Sequence, residues 1–109
     1  MNRVMLSGLV LEKGAVRYTP AGLPALDLSV KHESQVTEAG HPRKVSLEIR
    51  AVGIGAVAEQ IAKLAVGDTA EFAGFLGAMR NGRGVLLHVT ELHVVELHSA
   101  EPQARDPRT

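Results

Sequence analysis

The chain has 109 residues, with 12 Lys or Arg against 12 Asp or Glu, so its formal net charge is zero. That length allows one domain with one core, and the charge balance argues against a strong polyanion binder. No cysteine is present, which excludes disulfides and thiolate metal sites.

The first predicted strand covers about Asn2 to Leu11. Val4, Leu6, Gly8 and Val10 share one face, and the glycine takes an inward position. A glycine inside a strand marks a bend or a close backbone approach. Lys13-Gly14 ends this strand, and Ala15 to Tyr18 reads as a short extension. Thr19-Pro20-Ala21-Gly22-Leu23-Pro24 is a turn cluster, because Pro pre-sets one dihedral and Gly permits a positive one. The second strand runs from Ala25 to about Ser34. Leu26, Leu28 and Val30 alternate with Asp27, Ser29 and Lys31, the pattern of a half-buried strand. Gln35 to Pro42 reads as a polar loop.

The third strand puts Val45, Leu47, Ile49 and Ala51 inward and Ser46, Glu48 and Arg50 outward, until Gly53 and Gly55 end it. Val57, Ile61 and Leu64 then fall at helical spacing, which predicts a short helix over Ala56 to Leu64. The fourth strand starts near Gly67. Ala70, Phe72, Gly74 and Leu76 repeat the inward pattern of the first strand, glycine included. Met79-Arg80-Asn81-Gly82-Arg83-Gly84 is a turn, with Asn-Gly as a hairpin signal. The fifth strand runs from Val85 to about Leu97, and its alternation slips near Thr90-Glu91, where a bulge is expected. Ser99 to Thr109, with two Pro and no large apolar residue, is expected to be a disordered tail after a domain over 1–98.

Small closed barrels need bends where one strand serves two sheets. Two glycine-interrupted strands in the order strand-strand-strand-helix-strand-strand predict an all-β, five-stranded oligonucleotide-binding barrel, with the short helix between strands three and four. No apolar run approaches the ~20 residues of a membrane span, and the N-terminus lacks a signal-peptide pattern. A cytoplasmic, membrane-free protein is the expectation.

No catalytic constellation emerges. His88, His93 and His98 recur every five residues, and on a regular strand successive members point to opposite faces. Structural histidines are therefore expected rather than a metal site. His32, Glu33 and Ser34 are strand neighbours and cannot form a relay, and Gly53-x-Gly55 lacks the rest of any phosphate-loop pattern. Neither an enzyme nor a cofactor is expected.

Several segments resemble one family. They are Asn2-Arg3-Val4-Met5-Leu6-Ser7-Gly8, Thr19-Pro20-Ala21-Gly22-Leu23-Pro24, Val30-Lys31-His32-Glu33-Ser34, Glu38-Ala39-Gly40-His41-Pro42-Arg43, Gly74-Phe75-Leu76, and Asn81-Gly82 followed by Leu87-His88. Together they are similar to the primosomal replication protein N (PriB) family, a relative of the single-stranded DNA-binding proteins. The resemblance spans about residues 2 to 97. It implies a homodimer of oligonucleotide-binding barrels that binds single-stranded DNA during replication restart, stabilises the PriA helicase on DNA and hands over to a helicase-loading factor.

Carried over by position, the resemblance implies DNA contacts at Arg17, at His41, Arg43 and Lys44, and at Arg80 and Arg83, and Tyr18 and Lys31 are expected to join them as a flat side chain and a further cation. Without the resemblance, these cations would read as ordinary solubilising charges. The chain departs from better-known members in having His41 at an aromatic position and Ser46 near a Trp position. Glu33 stands where a basic residue is known, and the loop around Asn81-Gly82 is short. Single strands are held by cations along the backbone and by flat side chains that stack on bases, at about 1–3 kcal/mol each. Only Tyr18, His41 and Phe75 are available as platforms, so weak and strongly salt-dependent binding is expected. Phe75 reads equally as a stacking residue or as part of a dimer interface. Met5, Leu9 and Val52 are expected to point away from the core and suggest a partner surface.

Two rivals stand beside this reading. A general single-stranded DNA-binding protein would end in an acidic, Phe-tipped tail, whereas this sequence ends in Asp106-Pro107-Arg108-Thr109. A protein-interaction module with little DNA affinity would explain the zero net charge and the missing aromatics.

Overall fold

Gly8 lets the first strand change partners. In the computed structural model, which describes residues 1–96, β1 (Val4–Lys13) pairs with β5 (Thr69–Ala78) through Val4 to Leu9. From Leu9 to Lys13 it pairs instead with β3 (Pro24–Glu38). β3 pairs with β4 (His41–Ile54), which runs parallel to β6 (Val85–Glu96), and β6 returns to β5. The cycle β1-β3-β4-β6-β5-β1 closes a five-stranded barrel, with the two-residue β2 (Arg17–Tyr18) added to the edge of β3. The helix α1 (Ala56–Ala62) lies between β4 and β5. This is the expected oligonucleotide-binding fold, and the tail predicted after residue 98 lies outside the described residues.

The two inward glycines leave no room for a side chain, Gly8 against a core side chain and Gly74 against backbone. A Cβ on Gly8 would sit 2.1 Å from Val30 Cγ1, and one on Gly74 would sit 1.8 Å from the carbonyl oxygen of His88. The Gly74 contact coincides with the expected bulge: Ala73 pairs with Glu91 and Gly74 with Val89, leaving Thr90 extra. That extra residue changes a sequence-based expectation. His88 pairs with the outward Phe75 and His93 with Glu71, so the bulge brings both histidines to the outer face rather than to opposite faces. His98 lies outside the described residues. Among the described residues, no group of three or more His, Cys, Asp or Glu is disposed to hold a metal ion.

The core is aliphatic around a single Phe72. Val10, Leu26, Leu28, Val30, Ile61, Leu87 and Val89 pack there, and Val57, Ala58 and Ile61 of α1 plug one end of the barrel. Lys13 Nζ donates to the carbonyls of Ala62 and Leu64 at the helix C-terminus. It thereby satisfies carbonyls that the helix itself leaves open. The buried Asp68 accepts a hydrogen bond from the Ala65 amide at 2.8 Å and fixes the entry into β5. His32 is buried between β1 and the outer part of β3. A carbonyl can only accept, so His32 Nδ1 donates to the Ser7 carbonyl at 2.7 Å and Nε2 accepts from the Ser34 hydroxyl at 2.9 Å.

The polar loop expected over residues 35–42 is not a loop. β3 and β4 continue as a two-stranded ribbon to the pair Glu38–His41, joined by Ala39 (φ 53°) and Gly40 (φ 80°). Both turn residues have positive φ, as a two-residue type I′ hairpin requires. Residues 35–44 are exposed on both faces, so no buried face imposed an alternation for the sequence to display. Leu47, expected inward, is exposed for the same reason, because it lies where the ribbon leaves the barrel.

Candidate nucleic-acid interface

Outward positions on adjacent strands form rows across the barrel. One row runs Asp27, Val52, His88, Phe75 across β3, β4, β6 and β5. The next runs Ser29, Arg50, Leu86, Gly77. The turn after β2 overhangs this face on one side, and the β5–β6 loop does so on the other. Between them lies a groove of about 570 Å³, lined by Arg17, Tyr18, Asp27, Arg50, Arg80 and His88 over an apolar floor that includes Val52 and Leu86. In this fold class the ligand face is made by strands two and three with the loops between strands one and two and between strands four and five. The groove occupies that position.

Its chemistry follows from the side chains. Three arginines face one carboxylate. Arg17 is committed to that carboxylate: its Nε and one terminal nitrogen donate to the two Asp27 oxygens at 3.1 Å each. The hydrogen bond and the charge of Asp27 raise the Arg17 pKa above its ordinary value, so the guanidinium stays charged. Arg50 donates to the neutral Ser29 hydroxyl at 3.3 Å, and Arg80 makes no ion pair among the described residues. Tyr18 is 69% exposed at the groove edge. The His88 ring lies flat on Phe75, with centroids 4.7 Å apart and planes within 5°. Phe75 is 41% exposed, so a flat platform flanks the arginines.

Of the residues singled out from the sequence, the groove gathers Arg17, Tyr18 and Arg80. Phe75 stands beside it through its stack on His88. Lys31 lies outward on β3 with Glu33 3.9 Å away. His41, Arg43 and Lys44 ride on the ribbon. At about 3.3 Å per residue, the nine steps from Arg50 carry His41 roughly 30 Å along the strand. Arg43 is paired there with Glu38 at 3.1 Å. Arg83 is exposed in the β5–β6 loop and outside the groove lining, and its amide is held by Asn81 Oδ1 at 2.8 Å. Met5 is exposed and Leu9 half-buried on the outside of β1. Val52 does belong to the outer row, but it is only 4% exposed between Asp27 and His88. It is floor of the groove, not part of a free apolar surface as the sequence suggested.

Arg50 and His88 were not legible as site residues. Arg50 alternates outward as any solvating charge does. Its place in the groove depends on the parallel register Arg50–Leu86, which joins segments 36 residues apart. His88 reads as a structural histidine until its partner on β5 is known.

Comparison with known proteins agrees with this fold. A family profile described as another single-strand binding protein family matches residues 2–91. The replication restart protein PriB of Bordetella pertussis is 52% identical over 80 residues, which are 73% of this chain and 75% of the relative. The same protein of Nitrosomonas europaea is 34% identical over 91 residues, 83% of this chain and 84% of the relative. Among solved structures, PriB from Ralstonia solanacearum superposes with a TM-score of 0.79 at 31% identity, over 86% of this chain and 97% of that one. The single-stranded DNA binding protein of Thermus aquaticus gives 0.69 at 27% identity, over 88% of this chain and 50% of that one. The chain belongs to the PriB family of replication restart proteins, a branch of the single-strand binding barrels.

Proposed function

We propose that this protein binds single-stranded DNA in the groove over β3, β4 and β6 and acts as a non-enzymatic accessory factor in replication restart. The observation that carries the reading is the convergence of Arg17, Arg50 and Arg80 with Tyr18 and the Phe75–His88 stack on one face of the barrel. Cations would track phosphates while rings meet bases, a sequence-tolerant mode. Lys31, His41, Arg43, Lys44 and Arg83 supply outlying contacts to a longer strand. The protein works in the cytoplasm as a homodimer, with Met5 and Leu9 at the subunit contact, and it stabilises a PriA-like helicase on DNA.

The test is fluorescence anisotropy of labelled oligo-thymidine across a salt series, with native protein and with Arg50→Ala/Arg80→Ala. Loss of two phosphate contacts makes the slope of log affinity against log salt shallower by about 1.4. An unchanged slope and affinity would remove the groove from the reading. Light scattering at micromolar concentration tests the dimer. Retention of a PriA-like helicase on a forked DNA, with and without this protein, tests the partner.

A second reading draws on the ion pairs Arg3–Glu91, Arg17–Asp27, Lys31–Glu33 and Arg43–Glu38. These neutralise several of the cations and favour a protein-interaction module with little DNA affinity. No binding of oligo-thymidine even at low salt would select it.

A further inference from the structure

We propose that Asp27 is an intramolecular competitor for the strand, occupying the guanidinium of Arg17 until a DNA phosphate displaces it. The inference rests on the groove reading above. It starts from an asymmetry among the three groove arginines. Arg50 is held by a neutral hydroxyl and Arg80 by no carboxylate among the described residues, whereas Arg17 has both donors of one edge spent on Asp27 at 3.1 Å. The guanidinium fork matches carboxylate and phosphate alike in a bidentate geometry. The same edge cannot hold both.

Asp27 is also the only acidic residue lining the groove among the described residues. It sits on the barrel's ligand face, at the outward position beside Val52 and Gly14, whose amide donates to the Asp27 carbonyl. Its backbone is therefore fixed by the strand, and the carboxylate stays on the ligand face whichever rotamer it takes. The pair is open to solvent, with side-chain exposures of 49% for Arg17 and 43% for Asp27. An ion pair so exposed contributes little to folding, so its main consequence lies in what Arg17 can reach. Bidentate capture of a phosphate on that edge requires exchange of the carboxylate, and its departure restores the pair. Asp27 thereby lowers affinity and lets the strand leave easily.

The experiment is the same anisotropy titration with Asp27→Asn and Asp27→Ala, each also made with Arg17→Ala, after circular dichroism melts show that the variants fold. Freeing one arginine for one phosphate adds at most about 0.7 to the salt slope, the full value applying where native Arg17 stays on Asp27, which is up to roughly eightfold in affinity at 50 mM salt and threefold at 200 mM. Both Asp27 variants should bind tighter, by up to that factor, and the gain should shrink when Arg17 is absent. Unchanged or weaker binding by folded Asp27 variants would overturn the competitor role while leaving the groove reading intact. An equal gain without Arg17 would also overturn it, since Asp27 would then act only as a diffuse negative charge. If neither native protein nor variants bind at low salt, the groove reading itself fails and the competitor role fails with it.

Discussion

The two inward glycines permit a sharp test of how the barrel closes, because they fail for different reasons. A Cβ at position 8 meets the end of a side chain, Val30 Cγ1, at 2.1 Å, with the Lys31 carbonyl oxygen next at 3.3 Å. A Cβ at position 74 meets backbone: His88 O at 1.8 Å and His88 C at 2.8 Å. Val30 can respond by changing rotamer or by small shifts within the core. Overpacking of that kind costs about 1–3 kcal/mol. Replacing glycine also removes unfolded-state entropy, which offsets about 0.4–1 kcal/mol. Gly8→Ala should therefore destabilise by roughly 0–2.5 kcal/mol. No rotamer relieves Gly74→Ala. The contact is more than 1 Å below any tolerable carbon–oxygen distance, so β6 must move or the Thr90 bulge must be lost. The upper end of the overpacking range, about 3 kcal/mol, is the floor for this change. In a domain of this size that lowers Tm by at least about 12 °C. Urea and thermal unfolding followed by far-ultraviolet circular dichroism measure both. Adding Val30→Ala to Gly8→Ala should relieve the clash there, while no single core truncation should rescue Gly74→Ala. If Gly74→Ala melts within 1 kcal/mol of native, or Gly8→Ala is the worse of the two, the close-approach argument is wrong.

Phe75→Ala removes the platform shared with His88, and should weaken oligo-thymidine binding by about five- to 150-fold at constant salt slope; an unchanged affinity would assign Phe75 to a protein contact. His32→Ala takes the partner from the Ser7 carbonyl and from Ser34, and should destabilise by about 1–3 kcal/mol in urea melts. Ala39 holds φ 53° in the ribbon turn, a conformation that an alanine resists and an asparagine accepts. Ala39→Asn should then raise stability by roughly 0.5–1 kcal/mol in the same melts.

What the sequence displayed was whatever the core imposes. Leu26, Leu28 and Val30 alternate because one face of β3 is buried, and Gly8 and Gly74 interrupt the inward faces of β1 and β5 because a core side chain and a backbone carbonyl, respectively, fill the space a Cβ would take. The helix showed through Val57, Ile61 and Leu64 for the same reason. The outer half of the β3–β4 hairpin covers none of the described residues, so its strands show no pattern beyond a polar run. The facing of His93 depends on one extra residue at Thr90: the slip in alternation marks the bulge, and the bulge inverts the facing of the residues that follow it, His93 among them. The groove was the hardest to read. Arg17 and Arg80 stand out as loop cations, but Arg50 becomes a site residue only when β4 lies parallel to β6, a pairing between segments with no local signal.

The salt slope can say how much of this surface a strand uses. Each phosphate contact on a single strand contributes about 0.7 to it. With Arg50 and Arg80 alone engaged, raising salt from 50 to 200 mM should reduce affinity about sevenfold, and with Arg17 also released from Asp27, nearly twentyfold. A strand that continues from the groove onto Lys31, Arg43 and Lys44 makes six contacts, and the same change should then cost roughly three-hundredfold. The charges beyond the groove are partly neutralised in place, Arg43 by Glu38 and Lys31 by Glu33, which argues for the shallower slope. The length of DNA required should agree: a groove-only footprint reaches full affinity on a short oligonucleotide, whereas ribbon contacts some 20–30 Å away along the strand require a longer one. A steep slope that persists on the shortest strand that binds would contradict the charge distribution of this face.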